Sequence, residues 1–307
     1  GDSGYLARYA APIGSGDSRI DVLYDGANPM HHDNGGVEGV PHFWLGESNQ
    51  GQYQGLMLGY ALAYEALSDE ATKEIIRSDV VNLMKTLLET RQVKPTINGF
   101  QSPIPVDAQF MITTDDEPFE LDVDTKNWDQ TKMTGVVEFM PNLFGYVPRP
   151  DSAIMLASFF QVAVKVTENV EDYYNDRQEI GQFYEQNIAV WINTMRQWSY
   201  IASACNDGYN ALNTVFEPIY NLTRLEWHTQ RRETIKADVL EAKLWDTVKN
   251  HKNVWFAFIY AANAPDGADV SEALGMAKTQ LEQFPPPPRV RIGVDNTGSF
   301  TADSKCA

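Results

Sequence analysis

The sequence predicts an all-α protein: an α/α toroid-like, incomplete ring of helical hairpins, with long irregular loops and candidate short strands. Three observations predict it. Nearly all-apolar helical stretches alternate with amphipathic ones; the first kind is buried on every side, and the second turns one face to water. Long proline-punctuated segments separate the hairpins, as loops do when they gather at the mouth of a ring. No fixed-period repeat appears that would demand a solenoid. A complete six-hairpin ring needs more chain than these 307 residues, so the ring is expected to be incomplete. The expected layout is one domain over 1–284, with 1–50 as an irregular N-terminal segment and 92–149 as a long loop insertion. An extended tail follows over 285–307.

The first hairpin organises the rest. His42-Phe43-Trp44-Leu45-Gly46-Glu47-Ser48-Asn49-Gln50 leads into a helix running from about Gly51 to Leu67. Gly51, Gly55, Gly59 and Ala63 form a side-chain-free stripe, which lets another backbone approach closely. Tyr53, Met57, Tyr60 and Tyr64 form a second stripe, with leucines between, so this helix is expected to be buried all round. Ser68-Asp69-Glu70 caps the next helix, whose apolar face is Ile76, Val80, Leu83, Met84, Leu87 and Leu88.

Residues 1–50 show no helical period, and Ile20–Tyr24 is a candidate strand. From 92 to 149 prolines replace the helical signal, with candidate strands at 110–114 and 135–140. Loops this long are usually functional or disordered; the many aromatics here argue for order. A second apolar helix starts at Pro150-Asp151-Ser152 and runs through Ile154, Met155, Leu156, Phe159, Phe160, Val162, Val164 and Val166. Glu171-Asp172 opens a long amphipathic helix to about Ala202, with Ile180, Tyr184, Ile188, Trp191, Met195 and Trp198 on its apolar face. Residues 208–227 read as two short helices broken at Pro218. Residues 233–250 are amphipathic through Ile235, Val239, Leu240, Leu244 and Val248. Asn253 starts a third apolar helix to Ala262, and Val270–Phe284 is the last before the Pro285–Pro288 run.

The net charge of −18 argues against nucleic acid, which needs basic surface. It also disfavours anionic membranes and polyanionic sugars, and it suits divalent cations. No apolar run reaches the ~18 residues of a membrane span. The chain opens Gly1-Asp2-Ser3-Gly4 without Met or leader, as a processed form or an excised fragment does. Frequent Asp, Asn, Gly, Tyr and Trp with few Lys match secreted bacterial proteins, so a secreted, periplasmic or extracellular location is expected. Cys205 and Cys306 form one long-range disulfide or remain two thiols. The single sequon Asn221-Leu222-Thr223 is no more than chance supplies.

The run Glu47-Ser48-Asn49-Gln50-Gly51-Gln52-Tyr53-Gln54-Gly55, followed by Gly59, Ala63-Tyr64 and Ser68-Asp69-Glu70, resembles an uncharacterised family of secreted bacterial proteins. Members carry a Ser-Arg-Asp-Gln-Tyr-x-Gly run at the start of a buried helix. The Asn253–Ala262 helix and Phe284-Pro285 are similar to its downstream part, so the resemblance covers about half the chain. It implies a fold similar to the α/α toroids of glycoside hydrolases and polysaccharide lyases, and it brings no established activity. Gln50-Gly51 stands where the family has Arg-Asp; any chemistry of that pair is lost here.

Candidate chemistry is spread along the chain. Glu47, just before the buried helix, is the leading carboxylate, and its simpler reading is a helix cap. A toroid hydrolase needs an acid and a base facing across a cleft, and Asp33, Glu38, Glu138, Asp207 and Glu226 are candidate partners. A lyase needs a Tyr or His base near the sugar; Tyr209 and His228 qualify by type, as do Tyr53 and His42. Trp44, Trp128 and Trp227 are candidate stacking surfaces, with Gln52 and Tyr209 as polar contacts, although a Trp is more often core. His31, His32, Asp33, Glu38 and His42 form a loose zinc-like group without a defined spacing. Asp122, Asp124 and Asp129 open like a calcium loop, but Lys126 sits at a ligand position and the loop glycine is absent. For both groups, solvated loop residues are the simpler reading.

The function expected on this basis is carbohydrate binding, or cleavage of the hydrolase or lyase kind. Glu47 and Tyr53 would carry it, with His42, Asp207 or His228 assisting, and calcium is the candidate cofactor. The alternative is a non-catalytic subunit of an extracellular complex or filament, with other protein subunits as partners.

Overall fold

The computed structural model describes residues 6–27, 31–37, 39–46, 50–88, 90–97, 100–101, 104–107, 120–123, 150–199 and 210–283. These are mostly helical, with small sheets. The chain divides into two compact units: Gly1–Pro148 with Val166–Gly181, and Arg149–Lys165 with Gln182–Ala307.

In the first unit, β1 (Tyr9–Pro12), β3 (Val40–Leu45) and β2 (His31–Val37) form an antiparallel sheet in the order β1-β3-β2. Tyr9 and His31 both sit opposite Leu45. Gly39, at φ +80°, closes the β2–β3 hairpin in a conformation that only glycine adopts freely. A Cβ at Gly35 would lie 2.9 Å from the His42 carbonyl oxygen, so this strand position also needs glycine. The expected strand at 20–24 is instead a helical turn, α1 (Ser18–Asp21). Asp17 caps it by accepting from the Arg19 amide at 2.9 Å, a local bond that favours a turn over an extended chain.

Helix α2 spans Gln50–Ala66 and α3 spans Glu70–Leu88. The α3 cap is as read: Asp69 accepts from the Thr72 amide at 2.9 Å. Its buried face includes Ile76, Val80, Leu83, Met84 and Leu87. Arg77 is buried with them because each of its guanidinium nitrogens has a partner. It donates to Glu70 at 2.9 Å, to Glu74 at 3.0 Å, to the Tyr64 hydroxyl at 3.0 Å and to the Val166 carbonyl at 3.2 Å. Helix α2 departs from expectation. Tyr53, Gln54, Met57 and Ala61 are buried, but Gly55, Gly59 and Leu62 are exposed. A Cβ at Gly55 or Gly59 would meet no atom within 4 Å, so among the described residues no backbone approaches the glycine stripe there.

After α3, β4 (Thr90–Ile97) pairs antiparallel with β5 (Phe100–Gln101) and β6 (Ile104–Asp107), and parallel with β7 (Glu120–Val123). The candidate strands at 110–114 and 135–140 lie outside the described residues.

In the second unit, helix α4 (Pro150–Val166) is close to fully buried, as its all-apolar sequence requires. Helix α5 (Tyr174–Met195), whose residues up to Gly181 belong to the first unit, buries Ile180, Tyr184, Ile188, Trp191 and Met195, the face read from its period. Helix α6 runs unbroken from Asn210 to Leu225 with Pro218 inside it. A proline removes one helical hydrogen bond, at about 3 kcal/mol. Burial of Leu212, Val215, Phe216, Ile219 and Leu222 in one continuous stripe offsets this. The same helix buries the sequon: Asn221 and Thr223 are inaccessible, and the Thr223 hydroxyl donates to the Ile219 carbonyl at 2.7 Å.

Helix α7 (Thr229–Ile235) continues as a wide π-helical segment, Lys236–Trp245, and a last α-turn, Asp246–Val248. Ile235, Val239, Leu240, Leu244 and Val248 all point inward. Asn253 then caps α8 (Val254–Asn263) by accepting from the amides of Trp255 and Phe256. This helix is not buried all round as expected: Phe256, Ala257, Ile259 and Tyr260 are inside, whereas Trp255 is 46% exposed and Phe258 41%. Helix α9 (Ser271–Gln283) pairs with it as a hairpin. Among the described residues no helix is long and apolar enough to cross a membrane.

Candidate functional site

One polar site is buried in the second unit. It centres on Glu226, the residue immediately after α6, whose side chain is 0% exposed. Four donors surround its carboxylate. Oε2 accepts from the Tyr184 hydroxyl and from Gln161 Nε2, the latter at 3.0 Å. Oε1 accepts from Arg231 Nη2 at 2.8 Å and from the His228 amide at 2.8 Å. Every partner is a donor, the set that an ionised carboxylate accepts from. A buried carboxylate is tolerable only when paired and hydrogen-bonded in this way.

The helices supply these groups from three directions. Gln161 comes from α4, Tyr184 from α5 and Arg231 from the first turn of α7. The short connection between α6 and α7 is thereby pinned from beneath. Glu226 holds the His228 amide two residues on, while Arg232 Nη1 reaches the Glu226 carbonyl at 3.3 Å.

The pinned connection presents Trp227 and His228 outward. Trp227 is 41% exposed, and the His228 side chain 57%. Behind them, the Trp227 ring lies 5.3 Å from Tyr184, and the Arg231 guanidinium sits 5.7 Å from the Trp227 centroid. Arg231 also stacks over Tyr184 at 5.2 Å, a cation–π contact in a half-buried setting. A second carboxylate completes the rim: Glu185 takes both Arg231 Nη atoms, at 2.9 and 2.8 Å, and lies 3.7 Å from His228 Nε2.

Arg231 links the buried and the exposed carboxylate. Burial alone would lower its pKa, but the hydrogen bonds to Glu185 and Glu226 overcome this and raise it. The same bonds hold the Glu185 carboxyl below the ordinary carboxylate range. Burial, then the charge of Glu226, pushes the Tyr184 phenol well above its ordinary value, so it stays a proton donor. The arrangement therefore offers an exposed indole beside an imidazole and an ionised carboxylate, all held on a rigid base.

The residues singled out from the sequence divide between the units. Trp227 and His228 meet at this corner with Glu226. In the first unit, Tyr53 is buried, with its hydroxyl accepting from the Leu6 amide at 3.1 Å. His42 Nδ1 donates to the Val40 carbonyl at 2.7 Å. Trp44 is half-buried and stacks on His32, with ring centroids 3.9 Å apart. Gln52 lies half-buried on α2. Glu38, Glu47, Asp124, Trp128, Asp129, Glu138, Cys205, Asp207, Tyr209 and Cys306 lie outside the described residues, and Asp122 is placed only as part of β7. Among the described residues, no group of three His, Cys, Asp or Glu side chains is placed to hold a metal ion. His31 pairs instead with Asp33 at 2.5 Å, and the Tyr24 hydroxyl donates to Asp33 at 3.0 Å.

Sequence reasoning missed Gln161, Glu185 and Arg231 and read Tyr184 as core alone. Arg231 carries a weak local signal, since it follows the Glu226-Trp227-His228 triplet by one helical turn. Gln161 and Glu185 are distant in sequence and carry none. Compared with known proteins, the chain matches no family model, no curated protein and no solved structure.

Proposed function

We propose that this is a secreted carbohydrate-binding protein that contacts its glycan at the Trp227–His228 corner. The observation that carries the reading is the exposed Trp227 ring, fixed from behind by Tyr184 and Arg231 rather than packed into the core. A rigid indole flanked by polar side chains suits a sugar, which offers an apolar C–H face and a rim of hydroxyls. Glu226 is too deeply buried to touch a ligand. Its part is to hold the connection in shape.

An α/α-toroid arrangement of the helical hairpins belongs to the same proposal, supported by the α2–α3 and α8–α9 hairpins within their own units. Cleavage, if it accompanies binding, would draw on His228 beside Glu185 as the proton-transfer pair, since an imidazole and a carboxylate are suited to general acid–base work.

The test is binding to oligosaccharides of equal length, followed by calorimetry and by quenching of Trp fluorescence. Trp227→Ala is expected to weaken binding by roughly tenfold, given the more than about 1 kcal/mol that truncating an aromatic anchor at a binding interface typically costs. Unchanged affinity in Trp227→Ala would sink the assignment of the site. Reducing ends or unsaturated products appearing on incubation would add cleavage to binding.

A further inference from the structure

The rim of the corner has a charge character that selects among sugars. We propose that the Trp227 corner takes an amino sugar in its cationic form, with the sugar face on Trp227 and the ammonium on Glu185. This rests on the carbohydrate reading of the same corner.

Three observations support it. First, Arg231 is shared between Glu226 and Glu185, so two carboxylates draw on one guanidinium. Next to it, Arg232 and Lys236 are paired with Glu233 and Asp266. The cluster keeps an excess negative charge, and its accessible carboxylate is Glu185, 41% exposed. Second, both Glu185 oxygens already bond Arg231, yet each carboxylate oxygen accepts more than one hydrogen bond. Acceptor capacity therefore remains on the exposed side. Third, an ammonium beside an indole face gains cation–π attraction as well as ion pairing. An anionic sugar meets the opposite: the nearest guanidinium is 16% exposed and engaged by both carboxylates. The net charge of −18 repels it further.

His228 is the competitor. Its Nε2 lies 3.7 Å from Glu185 Oε1, and a protonated imidazole there would occupy the carboxylate that the ammonium needs. The groups facing it are Glu185 from α5, Arg231 from α7 and the buried Glu226 behind. The measurement therefore belongs at a pH low enough to keep the amine protonated, with His228→Gln alongside to remove the competing imidazole; the preference for the free amine is expected to be at least as large in that variant.

The experiment compares glucosamine oligomers with N-acetylglucosamine oligomers of the same length, by calorimetry at fixed salt, on the full chain. The free amine is expected to bind about tenfold tighter, from one exposed cation–π contact and one exposed ion pair together. In Glu185→Gln, that ratio is expected to fall to about one. Equal affinity for the two oligomers in the wild type overturns the amino-sugar inference and leaves the carbohydrate reading standing. A preference that persists in Trp227→Ala or in Glu185→Gln also overturns it, because it then comes from overall charge and not from this corner. If neither oligomer, nor any uncharged one, binds, the carbohydrate reading itself fails. Thermal melting of each variant, read alongside, separates loss of fold from loss of contact. Should Glu185→Gln melt early, Glu185→Asp, which keeps the charge and withdraws it by one methylene, is expected to reduce the ratio without abolishing it.

Discussion

At the scale of single residues, Glu226 joins stability to function. It is a fully buried charge whose four donors come from α4, α5, α7 and its own connection. Removing it leaves Arg231 and Tyr184 without their inner partner. Breaking one member of a buried pair usually costs about 3–5 kcal/mol, more than the pair adds when intact. Glu226→Ala is therefore expected to lower the unfolding free energy by that much, read as a drop in the denaturant midpoint at unchanged slope. A loss below about 1 kcal/mol would mean that the pair behaves like a surface contact. The residue was visible in the sequence as part of an acidic-aromatic-imidazole triplet, and the exposed Trp and His beside it were read as site candidates. Its burial was not visible, because it depends on Gln161 and Tyr184, which reach it across 65 and 42 positions of sequence.

At the scale of elements, periodicity was a good guide wherever one face dominates. The inward residues of α3, α5 and the 233–250 stretch are those that the spacing marks. Where expectation and structure part, the reasons are physical. Pro218 does not break α6, because tertiary burial on both sides of it outweighs one missing hydrogen bond. The π-helical segment at Lys236–Trp245 has no compositional marker, since its residues are ordinary helix formers. Helix α2 combined small and apolar residues and was read as buried all round, yet small residues report only that an approach is sterically permitted. At Gly55 and Gly59 none occurs among the described residues. These two glycines therefore only weaken the helix. Gly59→Ala is expected to stabilise the protein by roughly 0.5–1 kcal/mol, measured as a rise in the melting midpoint. A fall would show that the stripe is in close contact in solution and not open.

At the scale of the whole molecule, several buried or half-buried phenols shape the response to alkali. Tyr260 stacks on Trp245 with centroids 4.6 Å apart and donates to Glu241 at 2.7 Å. Burial, then that carboxylate, pushes its pKa up to about 12 from an ordinary 10.0. A raised folded value means that the neutral phenol is the form the fold prefers. The stabilisation is complete below pH 10.0 and is lost as the pH rises through about 12. The melting midpoint is expected to fall across this window, and less steeply in Tyr260→Phe. Identical alkaline profiles for the two proteins would exclude Tyr260 as a contributor. Composition foretold the acidic character of the molecule, and hydrophobic periodicity its mostly helical one. It did not foretell the division into two compact units, because contact density is set by which helices pack together and not by which residues they contain.

The sequon inside α6 has a consequence for how the protein is made. A glycan-transferring enzyme needs its asparagine in an accessible, extended loop, and here Asn221 is packed inside a finished helix with the Thr223 hydroxyl already bonded to the backbone. In a eukaryotic secretory host, attachment and folding would therefore race one another on each newly made chain. A chain that folds first leaves unmodified. A chain that is modified first carries a bulky, hydrated oligosaccharide at a position the core must close over, and it becomes a substrate for retention and degradation. The two populations would separate at the export step: material recovered from the medium would be uniform, and the shortfall in yield would lie inside the cell.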